Sequence, residues 1–503
     1  MGPTTGCSIC YHRAVSRVRP LLVPARTQGR AVNLRFDEAL VEARPSDTLA
    51  SALIAAGVLM TSRSPKYRRP RGPSCLSGDC GTCLVRVDGR PNVRACMIPV
   101  REGMRVTAQN SYQPKRLDPT ALVDTIFPGG IDHHHLMVRP RIANQVMQEL
   151  ARNLTGFGEL PEGIDERACE HLDHELPVVV LGAGPAGRAA SRALEAAGVD
   201  HLLLDRHARV HLEADRRASA DAAHELPTRL LTHAGAFGLY PGPLARLEGP
   251  GEPLDRALLA VSERPGVSEG HGDVERLHTL RPLHLILATG SRDSMLPFPN
   301  NDLPGVVSAR GLLASLRRSD ALLAGRCVVV GDGERAETLR AALDQLRSSA
   351  APKVARISPA DVERAVGSDR VEALICRGER ISCALVALAG PPTAAHDLAG
   401  QAGLRIDFDG EGFVVPSDGE HGGHCGVLGG TQLWAAGDLC GWLGEAAGPD
   451  GAAVAERVIA ALATGPEDHG ESRRYAPVDP PAPPPLRERA VVGDAFADED
   501  LEP

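Results

Sequence analysis

Four cysteines constrain this chain more than any other feature. Cys75, Cys80, Cys83 and Cys96 stand in the pattern C-x4-C-x2-C-x12-C. Three thiolates on one short loop can wrap an inorganic centre from one side, and a fourth on the far strand of a hairpin can close it. Gly78 and Gly81 lie between them, where they allow sharp turns and bring amide N–H groups towards the sulfurs. Such hydrogen bonds stabilise a reduced, more negative cluster. Zinc sites usually arrive as two CxxC-type pairs, whereas here x4 precedes x2. The spacing therefore points to a [2Fe–2S] cluster ligated by Cys75, Cys80, Cys83 and Cys96.

The flanking pattern agrees. Residues 31–36 and 40–44 alternate apolar and polar side chains, as in a β-hairpin. A helix is expected over about 47–56, with Ser46 as N-cap and Gly57 just past its end. Leu84–Val87 reads as a strand, Asp88-Gly89 as a tight turn and Met104–Ala108 as a last strand. Hairpin, helix, loop and hairpin is the order of a β-grasp ferredoxin. The x12 gap resembles the ferredoxin domain of succinate dehydrogenase iron–sulfur subunits more than photosynthetic ferredoxin. The basic stretch Lys66 to Arg71 ahead of the loop suits a cluster-tuning field, an acidic partner or a solvated loop.

A second motif lies downstream. An apolar strand ending at Leu181 runs into GAGPAG, in which Gly182, Gly184 and Gly187 form G-x-G-x-x-G and Pro185 and Ala186 open a helix. A second strand, His201–Leu204, ends in Asp205, 18 residues past Gly187 and near the spacing of a ribose-hydroxyl ligand. A pyrophosphate would sit on the amides of the helix N-terminus. LHLILATG brings Thr289 and Gly290, and LWAAGD brings Gly437 and Asp438, with Gly451 opening a later helix. This combination resembles the two-dinucleotide-binding flavoproteins with a reductase-like fold. The resemblance implies FAD, with Asp438 near its ribityl or pyrophosphate part and the helix from Gly451 aimed at the flavin.

A second nucleotide-binding unit starts at residue 326, with the turn G-D-G-E-R-A. Asp332 and Glu334 would repel a pyrophosphate, and Arg335 would offset part of that. NAD(P) binding there is weakened, and structural retention without binding fits equally well. No CxxC pair occurs in this half, which argues against dithiol chemistry of the thioredoxin reductase type.

Bulk properties exclude several classes. A net charge of −9 on 503 residues gives no sign of a nucleic-acid partner. No apolar run is long enough to span a bilayer and no signal peptide stands out, so a cytoplasmic location is expected. Twelve cysteines there imply metal or redox use. The Cys7/Cys10 pair reads as thiols on a mobile tail and His133–His135 as loop residues. The expected organisation is α/β plus α+β. It comprises a tail (1–28), a [2Fe–2S] ferredoxin-like domain (29–110), a connector (111–172) with helical character around Arg141–Leu154, an FAD-binding Rossmann-type domain (173–297 and 400–465), a second nucleotide-binding-like domain (298–399), and a Pro-rich acidic tail (466–503).

The segments SRSPKYRRPRG, TAQNSYQPKRLD, THAGAFGLYPG and ILATGSRDSMLPFPNNDLPGV resemble heterotetrameric sarcosine oxidase α subunits and the related α subunits of hydrogen cyanide synthase and of opine and D-hydroxyproline dehydrogenases. Two departures stand out: the cluster cysteines are kept, and no C-terminal folate-binding T-protein-like domain follows. The resemblance implies an electron-transferring subunit of an amine or amino-acid dehydrogenase or oxidase, partnered by a flavin-bearing β-type subunit. It leaves FAD and NAD open for the GAGPAG site, with the cluster favouring FAD. The rivals are a self-sufficient NAD(P)H-dependent reductase and a non-catalytic scaffold. No residue stands out as a catalytic acid or base.

Overall fold

The computed structural model describes residues 20–25, 31–64, 69–109, 169–207, 230–241, 256–263 and 275–464. The expectations for Cys7 and Cys10, for the helix at Arg141–Leu154, for His133–His135 and for the Pro-rich tail lie outside the described residues. Part of the expected amino-terminal tail is structured. Strand β1 (Leu22–Pro24) pairs antiparallel with Ala321–Leu323. Leu21 and Leu22 are buried there, which gives this apolar triplet a reason to leave solvent.

The hairpin forms from β2 (Val32–Phe36) and β3 (Ala39–Ala43). Alternation puts Leu34, Phe36, Val41 and Ala43 on the buried face. Helix α1 (Leu49–Ala55) starts later than expected. Its cap is Thr48, whose Oγ1 accepts from the Ser51 amide at 3.2 Å. Ser46 instead donates to the Ser319 carbonyl, and the Asp47 carboxylate is held by Arg44 and Ser51. Gly57 follows the helix at φ 76° as the expected left-handed stop. Strands β4 (Leu84–Val87) and β5 (Arg90–Arg94) flank Asp88 and Gly89, both at positive φ as a type I′ turn requires, and β6 (Arg105–Ala108) completes the sheet. The order is β3-β2-β6-β4-β5, with β2 and β6 parallel and the other pairs antiparallel.

The next body is built on β7 (Cys169–Leu181), which begins seven residues before its apolar stretch. Those first residues are polar and mostly exposed, and pairing rather than burial holds them extended. Helix α2 (Pro185–Ala196) and β8 (His201–Leu204) follow, then β9 (Leu230–Leu231), β10 (Ala234–Tyr240), β11 (Leu258–Glu263) and β12 (Glu275–Leu287). Strand β12 lies parallel to β7 along its whole length, but its other edge is shared. Its first half pairs antiparallel with β11 and its second half pairs parallel with a later strand, Thr431–Ala435. One long strand thus joins a Rossmann-type parallel sheet to an antiparallel flap.

A second parallel sheet contains β13 (Val306–Ser308), β15 (Cys327–Val330), β16 (Ala355–Ile357) and β20 (Leu385–Leu388), in the order β13-β20-β15-β16. Helix α3 (Ala309–Arg318), strand β14 (Ala321–Leu323) and helix α4 (Gly333–Gln345) accompany it. An antiparallel trio covers it: β17 (Val362–Val366), β18 (Ala373–Cys376) and β19 (Glu379–Ser382). Strands β21 (Gly423–Leu428) and β22 (Thr431–Ala435) return to the first sheet, and helix α5 (Ala447–Thr464) ends the described chain. One apolar core runs from the β-grasp part into this second sheet: Leu49, Leu53 and Leu76 share it with Leu312, Leu316 and Leu323. Among the described residues no helix is long and apolar enough to cross a membrane.

Candidate functional site

The cluster loop hangs between α1 and β4. Leu76 is buried at φ 55°, and Gly78 and Gly81 take φ 87° and 65°, so three left-handed residues coil the backbone round one point. A Cβ on Gly78 would meet Met97 Sδ at 2.7 Å, so glycine is needed there twice over. The coil aims amides at sulfur: the Cys75 Sγ accepts from Ser77, Asp79 and Cys80 N–H groups at 3.5, 3.2 and 3.3 Å. Cys83 and Cys96 are buried with sulfurs 3.5 Å apart. Two thiolates on one tetrahedral ion with ~2.3 Å bonds lie ~3.7 Å apart, so this spacing suits a shared iron. Hydrogen bonds from the Cys80 and Cys96 thiols hold the Cys75 thiol far below its ordinary range, and sharing with Cys75 pushes Cys80 and Cys96 up. Cys80 alone of the four is exposed, which gives the cluster an edge towards solvent. Among the described residues no three His, Cys, Asp or Glu side chains converge as a single-ion site.

The dinucleotide loop is tightly packed on one side and open on the other. Gly182, at φ 105°, would place a Cβ 2.3 Å from the Ala288 carbonyl, and Gly187 would place one 1.8 Å from the Gly182 carbonyl. Gly184 faces open space, and Pro185 begins α2. The helix N-terminus therefore presents free amides beside a glycine with room above it, the cradle a pyrophosphate needs. Gly437 and Gly451 serve the same packing: their Cβ atoms would lie 2.7 and 2.1 Å from atoms of Ala186. Gly451 does not open the last helix, because α5 already begins at Ala447. Its role is close approach to α2, and the positive helix end lies one turn earlier.

Asp205 is more committed than its spacing implies. Its Oδ2 accepts from the Ala183 amide at 2.9 Å, and its Oδ1 accepts from the His207 amide and Nδ1 at 2.8 and 2.9 Å. Burial pushes this carboxyl up, but the bonds from His207 and Ala183 outweigh it and hold it low. One lone pair on Oδ2 is left for a ribose hydroxyl. The buried His207 Nε2 has no partner among the described residues, and in the neutral ring, with Nδ1–H given to Asp205, it is an acceptor. A ribose hydroxyl fits it, so the residues present suit a dinucleotide. Sequence reading stopped at Asp205 and missed His207, which lies two residues on.

Thr289 donates to the Ala395 carbonyl at 2.9 Å, and Gly290 turns at φ 71°. Asp438 Oδ1 accepts from the Leu443 amide at 2.9 Å, and its Oδ2 lies 3.3 Å from Ser291 Oγ and 3.6 Å from Arg310. Asp438 is thus a loop organiser flanked by arginine, on the same sheet end as the glycine loop.

The cluster loop meets this region directly. Asp79 makes a bidentate pair with Arg206, at 2.8 and 3.2 Å, one residue past Asp205. Ser74 accepts from the Ser308 amide at 2.9 Å, Leu76 accepts from Arg318 at 3.1 Å, and a Cβ on Gly311 would fall 2.0 Å from the Cys75 carbonyl. Of the basic stretch before the loop, Arg69 and Arg71 pair with Asp302 of this same chain, so they are not free for an acidic partner.

The second turn is closed. Arg335 leaves the loop to bond the Gly390 carbonyl and the buried Asp293, and its guanidinium lies 5.9 Å over the Trp442 ring. It therefore does not offset Asp332 and Glu334 as expected. Asp332 instead bonds Ser358 at 3.0 Å and approaches Arg356 at 3.5 Å. A cavity of about 570 Å³ beside it is lined by Asp332, Asp361 and Glu379 against Arg356 and Arg377, a balance that disfavours phosphate.

Comparison with known proteins agrees with this geometry. Residues 29–111 match the 2Fe-2S iron-sulfur cluster binding domain and residues 175–235 match the FAD binding domain. The matched FAD-binding domain contains the GAGPAG loop, so FAD and a [2Fe–2S] cluster are the cofactors this chain is built for. Sarcosine oxidase subunit alpha of Rhizobium meliloti is 29% identical over 309 residues, covering 57% of this chain and 30% of the relative. The chain thus spans under a third of that relative's length. Hydrogen cyanide synthase subunit HcnA of Pseudomonas aeruginosa is 38% identical over 71 residues, covering 14% of this chain and 67% of that subunit. The crystal structure of L-proline dehydrogenase from P. horikoshii shares the fold, with a TM-score of 0.62 and 19% identity over 90% of this chain and 77% of that one. Through its [2Fe–2S] domain the chain belongs to the family of hydrogen cyanide synthase subunit HcnA, and over more than half of its length it is similar to sarcosine oxidase α subunits, with a [2Fe–2S] domain and an FAD-binding domain on one chain.

Proposed function

We propose that this chain is the electron-transferring α-type subunit of an amine or amino-acid dehydrogenase or oxidase, partnered by a flavin-bearing β-type subunit. Cys75, Cys80, Cys83 and Cys96 hold the cluster. Gly182, Gly184, Pro185, Ala186, Gly187, Asp205, Thr289, Gly290, Gly437, Asp438 and Gly451 form the FAD site, with His207 added. When bound, FAD supplies two-electron chemistry and the [2Fe–2S] cluster single-electron transfer. The chain's residues hold the two close, present amides to sulfur and pyrophosphate, and leave the exposed Cys80 edge as an exit. The observation that carries this reading is the seating of the cluster loop on the dinucleotide end of the first sheet, through Asp79 and Arg206.

The self-sufficient NAD(P)H reductase reading is less favoured, because Arg335 is withdrawn into the Asp293 pair and the second turn keeps two carboxylates. The test is anaerobic purification with a neighbouring oxidase-like subunit, followed by iron, sulfide and flavin analysis. A small secondary amine should then reduce the cluster. Rapid bleaching of the isolated chain by NADH would favour the reductase, and protein with neither iron nor flavin would leave only a scaffold.

A further inference from the structure

Asp79 is the single carboxylate within the ligand loop from Cys75 to Cys83. Its amide donates to the Cys75 sulfur at 3.2 Å, and its side chain accepts from Ser77 Oγ at 2.7 Å. That side chain is only 12% exposed and faces two arginines from the dinucleotide-binding body. Arg206 forks onto both oxygens at 2.8 and 3.2 Å, and Arg292 Nε lies 3.7 Å from Oδ1. Both arginines are sequence neighbours of residues in the FAD region. Arg206 follows Asp205, and Arg292 follows Ser291, which bonds Asp438.

We propose that Arg206 and Asp79 are positioning residues that set the reduction potential of the cluster, and so tie its readiness for an electron to the seating of the cluster loop on the FAD-binding body. This rests on the cluster and FAD assignments above. A buried carboxylate beside the sulfur ligands disfavours adding an electron to the cluster, and a guanidinium bonded to it cancels that field. The planar fork matters, because it keeps the compensating charge at one place relative to Cys75. It also holds the Asp79 amide on sulfur, since carboxylate and amide belong to one residue. A surface ion pair of purely structural use would add little stability and leave the potential unmoved.

The test is redox titration of the purified holoprotein, with the reduced cluster read by electron paramagnetic resonance. Arg206→Gln should make reduction about tenfold less favourable, equivalent to ~59 mV for one electron. Asp79→Asn should shift it by a similar factor the opposite way, and the double variant should return near wild type. Arg206→Lys, which keeps the charge, should fall between Arg206→Gln and wild type. Shifts of the same sign in both single variants, or none, with iron, sulfide and flavin at wild-type levels would overturn the proposal while sparing the functional reading. Should Arg206→Gln fail to hold its cluster, Asp79→Asn and Arg206→Lys decide on the same readout. A wild-type protein without a [2Fe–2S] signal would overturn both.

Discussion

Gly311→Ala tests how the cluster is held, because the residue lies more than 200 positions from the cysteines. It sits in the first turn of α3, where its amide caps onto Ser308 Oγ at 2.9 Å. An added Cβ would fall 2.0 Å from the Cys75 carbonyl oxygen and 3.3 Å from Leu76 Cβ. Contact between such atoms is comfortable near ~3.2 Å, so helix and loop must part by about 1 Å. Neither side yields cheaply. The loop is tied to α3 by the Ser308–Ser74 and Arg318–Leu76 bonds, and Leu76 is buried in the shared core. Overpacking of this kind costs up to ~3 kcal/mol, and the helix preference for alanine over glycine returns ~1 kcal/mol. A net loss of ~2 kcal/mol follows, about thirtyfold in the local equilibrium. The assay is chelator-driven iron release in mild urea, followed by the loss of cluster absorbance. Gly448→Ala is the control, since nothing lies within 4 Å of its Cβ position. Iron release from Gly311→Ala as slow as from the control would refute the packing argument.

Other consequences follow from single contacts. His207→Ala removes the unpartnered Nε2 acceptor, and with about 1 kcal/mol per hydrogen bond it should weaken FAD retention about fivefold, read by flavin release on dilution. Asp293→Ala strips the buried partner from Arg335 and the acceptor for Ser308 and the Arg310 amide, so unfolding in urea should show a loss of ~3–5 kcal/mol. His284 is buried and accepts from Trp434 Nε1 at 3.1 Å, and burial followed by the nearby His424 lowers its pKa to about 4. The unfolded chain takes up this proton near pH 6.5 and the folded chain does not, so stability is full above that value and falls as the pH drops towards 4. His284→Gln should flatten the loss in urea titrations followed by tryptophan fluorescence, and an unchanged pH profile would contradict the assignment. Gly78→Ala needs both an unfavourable φ and space held by Met97, so iron per chain should drop sharply in the purified variant.

Much of the architecture was legible because it repeats along the chain with a short period. The hairpin at 32–43, the Asp88-Gly89 turn and the strand–GAGPAG–helix unit are all local patterns. Boundaries were legible only where hydrophobicity marked them. Strand β7 begins in a polar stretch whose partner, β12, lies about a hundred residues away, and Thr48 rather than Ser46 caps α1 because Ser46 is used by Ser319. Gly451 looked like a helix start, yet it is the point where α5 touches α2.

By itself the sequence determined which chemistry this chain can hold. Thiol spacing and glycine spacing are properties of a few consecutive residues, and they select a two-iron cluster and a dinucleotide whatever the rest of the molecule does. Tertiary structure alone decided what these groups touch. It set the cluster loop on α3 and on Arg206, it spent Arg335 on Asp293 instead of the second phosphate loop, and it exposed His207 as a candidate ligand. The first two are contacts between segments far apart in the chain, which exist only once the chain has folded, and partial burial strengthens them.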